Sequence, residues 1–274
     1  LEPIGRVHPF DALAVPDWAP RFGRRRARAA RAWFNGAIDR LVTERRATLA
    51  AGGAPPPDIL TALLQASDPE TGIGLSAQEV AANLFTLIAA GHETTARALV
   101  WTLHLLARAP DWQERAAAEA LGLGENPAGW LDAAPVLCAC FEEAMRLFPP
   151  VPFMSRASQA PDRLAGLEIG KGVLVCVAPW VLHRHKRLWA RPEAFDPARF
   201  LPGAREAIDR FAYLPFGSGP RICIGMGFAM QEGVIALAAI LRRTRLSPIG
   251  EEPEIVHRIT LRPRRTLRLA ITER

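Results

Sequence analysis

The chain has 274 residues, of which 49% are hydrophobic, so it can bury the core of one large domain or two ordinary ones and is not expected to be disordered. Four cysteines at this length exclude a disulfide-scaffold protein and favour a reducing compartment. No apolar run reaches the length of a membrane span, and the first residues lack the order of a signal peptide. We therefore expect a cytoplasmic protein. Because the chain begins with Leu1 and not with Met, an anchor upstream of it stays open.

The net charge of +6 comes in part from the arginine-rich run RFGRRRARAAR at residues 21–31. Such a run can bind nucleic acid, dock an acidic protein or form the solvated face of a helix. Few aromatic residues lie near it, and no recognisable nucleic-acid module surrounds it. We favour the solvated helix face and expect no nucleic-acid partner.

The N-terminal half of the chain is predicted to be helical. Apolar residues recur with helical spacing over residues 21–50 until GGAPPP breaks the pattern, and a short helix, ILTALLQA, follows. Ser76 has the position of an N-cap, and Glu79 three residues later completes a capping box. A long helix then runs to Pro110. Its middle is apolar on nearly all sides, which predicts burial on most sides.

The C-terminal half mixes helices with short strands. Helices are predicted from Asp111, over Val136–Leu147, and after residue 225 to about Arg243. The segment LEIGKGVLVCVAP predicts a β-hairpin with a Gly-Lys-Gly turn, and a closing hairpin is predicted to turn at Pro263. The fold class is therefore mainly α with a minor β component. No repeat or linker divides the chain, so residues 1–274 are predicted to form a single domain.

One cysteine, Cys223, lies in the glycine-rich loop FGSGPRICIG ahead of a helix. A helix N-terminus and the nearby Arg221 favour a thiolate, and glycines let backbone amides approach the sulfur. A thiolate can act as a nucleophile or as a metal ligand. A lone cysteine cannot build a structural zinc site, but it can supply one axial bond to a haem iron.

This loop resembles the haem-binding loop of the cytochrome P-450 monooxygenases at Phe216, Gly219, Arg221, Cys223 and Gly225. Three further motifs resemble that family in the same order. AGHETT is similar to its oxygen-activation motif, EAMR to its Glu-x-x-Arg helix, and DPARF to the segment that adds a further arginine. The resemblance implies a cytochrome P-450 fold, incomplete at the N-terminus, because the family's N-terminal strands and one propionate-binding helix have no counterpart here.

The resemblance also implies which residues hold the cofactor, haem b. Cys223 is expected to be the axial thiolate ligand of the iron, with Phe216 and Gly217 on the same side of the haem. Arginine forks suit carboxylates, so Arg221 and Arg156 are candidates for the haem propionates.

In AGHETT, Glu93 and Thr94 are the expected catalytic residues. The Thr94 hydroxyl can bond an upstream carbonyl and loosen the helix, and with Glu93 it is placed to deliver protons to bound dioxygen. Gly91 leaves room for a flat ring, and His92 is not expected to be a ligand. The alternative is that both threonines of the motif are ordinary helix residues and that Glu93 faces solvent.

Glu143 and Arg146 are three residues apart on one helix and can pair. As an isolated surface pair they would contribute little to stability. With Arg199 they are predicted to form a charge-assisted network that pins the irregular segment before the Cys223 loop, a structural role. The three other cysteines are predicted to be core or inert residues: Cys138, Cys140 and Cys176.

The expected function is insertion of one oxygen atom of O2 into a small lipophilic organic substrate. The candidate pocket positions are mainly apolar: Leu87, Ala90, Pro152, Phe153, Met154, Ile259 and Thr260. Nothing resembles a flavin or iron–sulfur domain, so electrons are expected from a separate donor such as a ferredoxin or flavodoxin with its reductase. A truncated haem-binding remnant without turnover, a peroxygenase and a basic-helix interaction protein are the alternatives. Residues 1–274 alone are expected to hold haem poorly.

Overall fold

The computed structural model describes residues 24–274, and no helix in that range is long and apolar enough to cross a membrane. The chain divides into two compact units, one ending at His92 and the other running from Glu93 to Arg274. The helices are α1 (Arg24–Ala50), α2 (Ile59–Gln65), α3 (Ala77–Arg108), α4 (Pro110–Gly122), α5 (Trp130–Ala133), α6 (Pro135–Leu147), α7 (Pro179–Leu182) and α8 (Met226–Leu241). The strands are β1 (Met154–Ala157), β2 (Asp162–Leu164), β3 (Leu167–Ile169), β4 (Leu174–Val177), β5 (Thr244–Pro248), β6 (Ile255–His257), β7 (Leu261–Pro263) and β8 (Leu269–Glu273).

The first unit is helical, as its apolar spacing predicts. Its core is small and draws one or two residues from each helix: Ile38, Val42, Leu60, Val80 and Leu84. The arginine-rich run lies partly outside the described residues. From residue 25 onward its arginines are exposed on α1, as a solvated helix face requires.

The capping box that begins α3 is confirmed. The Glu79 amide donates to Ser76 Oγ at 3.2 Å, and the Ser76 amide donates to Glu79 Oε2 at 2.8 Å. The helix ends at Arg108, before Pro110. The prediction that its middle is buried is wrong for residues 86–92, most of which are exposed. The buried stretch lies further along, where Trp101 and Leu106 are fully covered. Apolar composition alone does not tell which part of a helix finds a partner.

In the second unit, α4, α6 and α8 pack around the main core. The contact between α6 and α8 is close, because a Cβ built on Gly233 would lie 2.5 Å from the ring of Phe141. Glu119 of α4 accepts hydrogen bonds from the Val136 and Leu137 amides and so caps the start of α6. A smaller cluster lies beside α6 and consists of Ala139, Trp189, Phe200, Ala212 and Tyr213.

The predicted hairpin with a Gly-Lys-Gly turn is wrong. Strand β3 pairs with β2, and β4 pairs with β1, each antiparallel, so the two predicted partners do not pair with each other. The tight turn lies earlier, at Ala165 and Gly166, which have φ angles of 49° and 85°. Two successive positive φ angles match a two-residue hairpin turn.

The predicted closing hairpin is also wrong in its details. The turn lies at residues 258–260, because β6 pairs with β7, and Pro263 is the last residue of β7. The final strand, β8, pairs with β5 over five residue pairs, from Thr244–Glu273 to Pro248–Leu269. The partner of the last strand is thus a segment just after α8.

Candidate functional site

The Cys223 loop is a tight turn that precedes α8. The Cys223 amide donates to the Phe216 carbonyl at 2.9 Å and closes the turn. Gly217 and Gly219 have φ angles of 76° and 73°, where a side chain would be strained. Phe216 is half-buried against the main core and holds the loop there. The glycines therefore allow a backbone path that leaves the Cys223 residue exposed.

The surface around Cys223 is apolar. Ile224 is 92% exposed and Phe228 is 72% exposed, and Ile222 and Met226 are also exposed. Large apolar side chains in contiguous exposed positions are typical of a binding surface. A Cβ built on Gly217 would lie 3.4 Å from Met154 Sδ. The Cys223 loop therefore lies next to β1.

The other cysteines differ from Cys223 in their surroundings. Cys140 is buried and Cys138 is half-buried, where burial raises the pKa of the Cys138 thiol to about 12. Of the two alternatives predicted for Cys176, core or inert, the core position is wrong, because Cys176 is exposed on the two-stranded β1–β4 sheet. The chain thus carries two exposed thiols, and only Cys223 lies in a glycine-rich loop.

The two predicted propionate ligands are exposed cations. Arg156 lies on β1 and its Nη1 donates to the carbonyl of the preceding Ser155 at 2.8 Å. Arg221 lies in the Cys223 loop, and its guanidinium makes no hydrogen bond or ion pair within the described part of the chain. Both groups are therefore available to an anionic ligand.

Glu143, Arg146 and Arg199 are brought together. Glu143 and Arg146 are fully buried and form a bidentate pair, with Nε–Oε2 and Nη2–Oε1 distances of 2.6 and 2.8 Å. Arg199 Nε lies 3.6 Å from Glu143 Oε1. The Asp196 amide donates to the same oxygen at 2.8 Å. Burial raises the pKa of Glu143, and the guanidinium of Arg146 opposes that rise.

Arg146 has further acceptors in the irregular segment after α7. Its Nη1 donates to the carbonyls of His183 and Pro192 at 2.8 and 2.7 Å, and its Nη2 donates to that of Ala194 at 3.0 Å. Together with the two bonds to Glu143, these contacts use every N–H group of the guanidinium. A charged group is stable in such a buried place only when it is fully hydrogen-bonded.

Glu93 does not simply face solvent. Its Oε1 accepts a hydrogen bond from Thr260 Oγ1 at 2.7 Å, and Arg97 Nη2 lies 3.5 Å from the same oxygen. Thr260 is 1% exposed and lies in the turn between β6 and β7. Thr94 is half-buried on the same helix, α3. The carboxylate is thus held between its own helix and the β6–β7 hairpin.

That hairpin is fixed to α3 at two further points. Trp101 Nε1 donates to the Leu261 carbonyl at 3.2 Å, and the Trp101 ring stacks on Phe148 with centroids 4.1 Å apart. His104 Nε2 lies 3.0 Å from Glu252 Oε2, in the loop before β6. The position of Thr260 relative to Glu93 is therefore set by several contacts along α3.

Sequence reasoning missed two features of this region. The Thr260–Glu93 bond joins residues 167 positions apart, and Thr260 was predicted only as a pocket residue. The fully buried His183 was not predicted at all, although it contacts both Arg146 and Leu214, two residues before the Cys223 loop. Its position in the charged run LHRHK resembles a solvated loop, so no local signal identifies it.

The Cytochrome P450 family matches residues 6–269 of this chain. The chain belongs to that family. The P450 relatives include cyclooctatin synthase of Streptomyces melanosporofaciens, which is 39% identical over 233 residues, covering 84% of this chain and 50% of the relative. They also include leukotriene-B4 omega-hydroxylase 3 of Mus musculus, which is 36% identical over 212 residues, covering 75% of this chain and 40% of the relative.

Solved P450 structures agree with the fold. The heme domain of cytochrome P450DA superposes with a TM-score of 0.84 at 32% identity, covering 97% of this chain and 58% of that one. The chain spans about half the length of the curated relatives it matches. The expected P450 fold, mainly α with minor strands, is thereby confirmed for the matched part.

P450 proteins hold haem iron through a cysteine thiolate. The described residues fit that cofactor. Cys223 offers an exposed thiol, Ile224 and Phe228 offer apolar surface for a flat ring, and Arg221 and Arg156 offer cations for its carboxylates. The thiol and the two guanidinium groups have the chemistry that haem requires. Cys223 and Arg221 lie in one loop, and Arg156 lies on β1, which adjoins that loop at Met154.

Proposed function

We propose that this chain is the haem-thiolate part of a monooxygenase that inserts one oxygen atom of O2 into a lipophilic organic substrate. The observation that carries the proposal is the exposed Cys223 thiol, which lies in a glycine turn with positive φ angles, within an apolar surface and two residues from the exposed Arg221. Relatives named as a hydroxylase and a monooxygenase support this reaction class. In the reaction, the second oxygen atom leaves as water, with two electrons and two protons supplied from outside the substrate.

When bound, the haem supplies the redox-active iron at which dioxygen is activated. Cys223 would hold that iron as a thiolate, and its electron-rich sulfur favours O–O cleavage. Backbone amides of the glycine loop would limit the basicity of the sulfur. Arg221 and Arg156 would orient the ring by pairing with its propionates.

Glu93 and Thr94 would move protons on α3. Thr260 donates to Glu93 Oε1, so that oxygen is held still while the other carboxylate oxygen remains available to accept and release a proton. Arg97 Nη2 lies 3.5 Å from the same oxygen, so the two side chains form an ion pair one helical turn apart on α3. The Thr94 hydroxyl, one residue further along, would pass the proton on.

The substrate side of the site is expected to be apolar. Phe153 and Ile259 are exposed, and the Phe153 ring lies 4.9 Å from that of His257 on the β6–β7 hairpin. These side chains would contact a lipophilic substrate and exclude water from it. Electrons would come from a separate donor, such as a ferredoxin or flavodoxin with its reductase.

Spectroscopy of the haem-loaded full-length protein tests the thiolate assignment. The reduced carbonyl adduct should show the red-shifted Soret band of thiolate ligation. Cys223→Ser should abolish that band, and the matched control Cys176→Ser, at the other exposed thiol, should keep it. A red-shifted band in Cys223→Ser would overturn the assignment.

Turnover separates the monooxygenase from the alternatives. Thr94→Ala should keep haem and oxygen consumption but form much less product per electron, because a positioned proton donor typically contributes about 10²–10⁴-fold to the rate of the step that it serves. Unchanged product per electron would remove Thr94 from the mechanism. Haem binding with no product from any electron donor would favour a remnant, and product with hydrogen peroxide alone would favour a peroxygenase.

A further inference from the structure

His183 is a buried polar side chain of the second unit whose position the proposed chemistry leaves unexplained. It is fully buried, and both ring nitrogens have partners. Nδ1 lies 3.3 Å from the Arg146 carbonyl, and Nε2 lies 2.8 Å from the Leu214 amide nitrogen. The Leu214 amide can only donate, so Nε2 must accept, and the proton must lie on Nδ1 and point to Arg146.

This tautomer requires a neutral imidazole. A protonated ring would present an N–H group to the Leu214 amide and lose that bond. Burial, helped by the cations of Arg146 and Arg184, lowers the pKa of His183 to about 3, so the ring is neutral at physiological pH. The buried surroundings and the hydrogen-bond geometry thus favour the same state.

On one side, His183 is joined to the buried Glu143–Arg146 pair by two bonds. Its ring donates to the Arg146 carbonyl, and its own carbonyl accepts from Arg146 Nη1 at 2.8 Å. Because Arg146 is itself locked by Glu143 through two bonds, the ring of His183 cannot rotate without breaking this arrangement.

On the other side, His183 is joined to the loop that carries the thiol. Its Nε2 holds the Leu214 amide, and the Leu214 carbonyl accepts from the Gly217 amide at 3.2 Å. Next to that turn, the Phe216 carbonyl accepts from the Cys223 amide at 2.9 Å.

The ring of the neighbouring Tyr213 lies 5.2 Å from the His183 ring, and the Tyr213 hydroxyl donates to the Glu142 carbonyl at 2.9 Å.

We infer that His183 is a positioning residue that joins the buried Glu143–Arg146 pair to the Leu214–Cys223 loop and thereby fixes the direction of the Cys223 thiol. The inference rests on the proposed function for its consequence at the iron, but its structural part concerns the protein alone. A hydrophobic residue at this position would leave the half-buried Leu214 amide without its acceptor on His183.

Hydrogen exchange and spectroscopy of the full-length protein, with and without haem, test the inference with three variants. His183→Leu removes the acceptor for Leu214. His183→Gln keeps one, because the glutamine carboxamide oxygen can reach the place of Nε2. His104→Leu is the matched control, since His104 is another buried histidine but its ring bonds to Glu252 and Arg108 and not to the loop.

We expect amide exchange in the peptide Leu214–Cys223 to rise about tenfold or more in His183→Leu. The half-buried Leu214 amide then loses its acceptor, and an unsatisfied donor shifts an equilibrium by about that factor. His183→Gln should stay within a few-fold of the parent. His104→Leu should leave this peptide unchanged. In the haem-loaded protein, His183→Leu should lose a large share of the red-shifted carbonyl band, and His183→Gln should restore most of it.

Unchanged exchange in His183→Leu, or an equal rise in His104→Leu, would overturn the inference. If His183→Leu does not fold, the same comparison is made between His183→Gln and His183→Ala at lower temperature, and equal exchange in both would overturn it. Failure of the parent protein to show thiolate ligation would sink the proposed function alone, since the exchange of the haem-free protein does not depend on iron.

Discussion

The surroundings of Glu143 and those of Cys223 differ in how far the protein itself satisfies their side chains. Around Glu143, charged and polar groups are fully buried and every N–H of Arg146 has an acceptor. Around Cys223, the thiol, Ile224 and Arg221 are exposed, and the guanidinium has no partner among the described residues. The groups of the first region are satisfied by hydrogen bonds within the protein, whereas the groups of the second region are exposed.

This contrast indicates that the exposed Cys223 loop takes its geometry from the buried, hydrogen-bonded region around Glu143. A glycine loop with exposed side chains has few contacts of its own to hold it, so its conformation depends on where its ends are fixed. One end is fixed through Leu214 to His183, and the other continues into α8, which packs closely on α6. Effects on stability should therefore be large in the buried region and small in the exposed one.

The largest loss of stability is expected for Glu143→Ala. Removing one partner of a buried pair leaves the Arg146 charge uncompensated, at a cost of about 3–5 kcal/mol. The control is Glu168→Ala, whose partner Arg163 is exposed and 3.4 Å away, where an ion pair is worth about 0–1 kcal/mol. Denaturant unfolding measures both. A Glu143→Ala protein as stable as the Glu168→Ala control would show that the buried pair does not support the fold.

A smaller loss is expected for Gly233→Ala, on the face of α8 that touches α6. The added Cβ would lie 2.5 Å from the buried Phe141 ring, and overpacking of this kind costs about 1–3 kcal/mol. Gly227→Ala on the same helix is the control, because a Cβ there meets no atom of the described chain within 4 Å. Thermal unfolding compares the two variants. Equal midpoints would mean that α6 and α8 can separate without cost.

The pH dependence of the free energy of unfolding should reveal the lowered pKa of His183 in the folded protein. In the unfolded chain its imidazole takes up a proton below its ordinary pKa of about 6.5, whereas in the fold its pKa is about 3. The unfolded state then binds more protons, so stability should fall as the pH falls through that window, by at most about 1.4 kcal/mol per pH unit.

His183→Gln lacks this titration and should show a shallower decline between pH 6.5 and 5 in the same unfolding measurement. Other titrating groups are common to both proteins, and their contributions cancel in the difference. Parallel curves for parent and variant would mean that His183 is protonated in the folded state as readily as in the unfolded one.

The smallest effect on stability is expected for Ile224→Ser in the Cys223 loop. This side chain is 92% exposed, so the free energy of unfolding of the haem-free protein should change by less than about 0.5 kcal/mol. A haem titration of the same variant should nevertheless show weaker binding, because apolar contact area is lost. Unchanged haem affinity would remove Ile224 from the binding surface.

Much of the helical framework follows from local sequence. Ser76 and Glu79 form the capping box because their spacing alone brings donor and acceptor together. Pro110 follows the end of α3 and begins α4, because proline lacks a backbone N–H and is best placed in the first turn of a helix. The membership in the cytochrome P450 family could be predicted from four short motifs, and the family match confirms it, whereas the role of Cys223 stays a prediction.

Strand pairing, burial and the partners of the site residues depended on tertiary structure. The residues between β3 and β4 have turn chemistry, yet each strand pairs with an earlier one, because pairing is decided by distant contacts as well as by the turn. The apolar middle of α3 is exposed while its later part is covered.

The same limit applies to the site. Motif spacing places Glu93 on a helix and Glu143 beside Arg146, since both facts concern one element. It does not tell that Thr260 reaches Glu93 across 167 positions, or that His183 joins Arg146 to Leu214. A local pattern carries information over a turn of helix or strand, whereas a hydrogen bond between distant segments exists only once the chain has packed and excluded water from both groups.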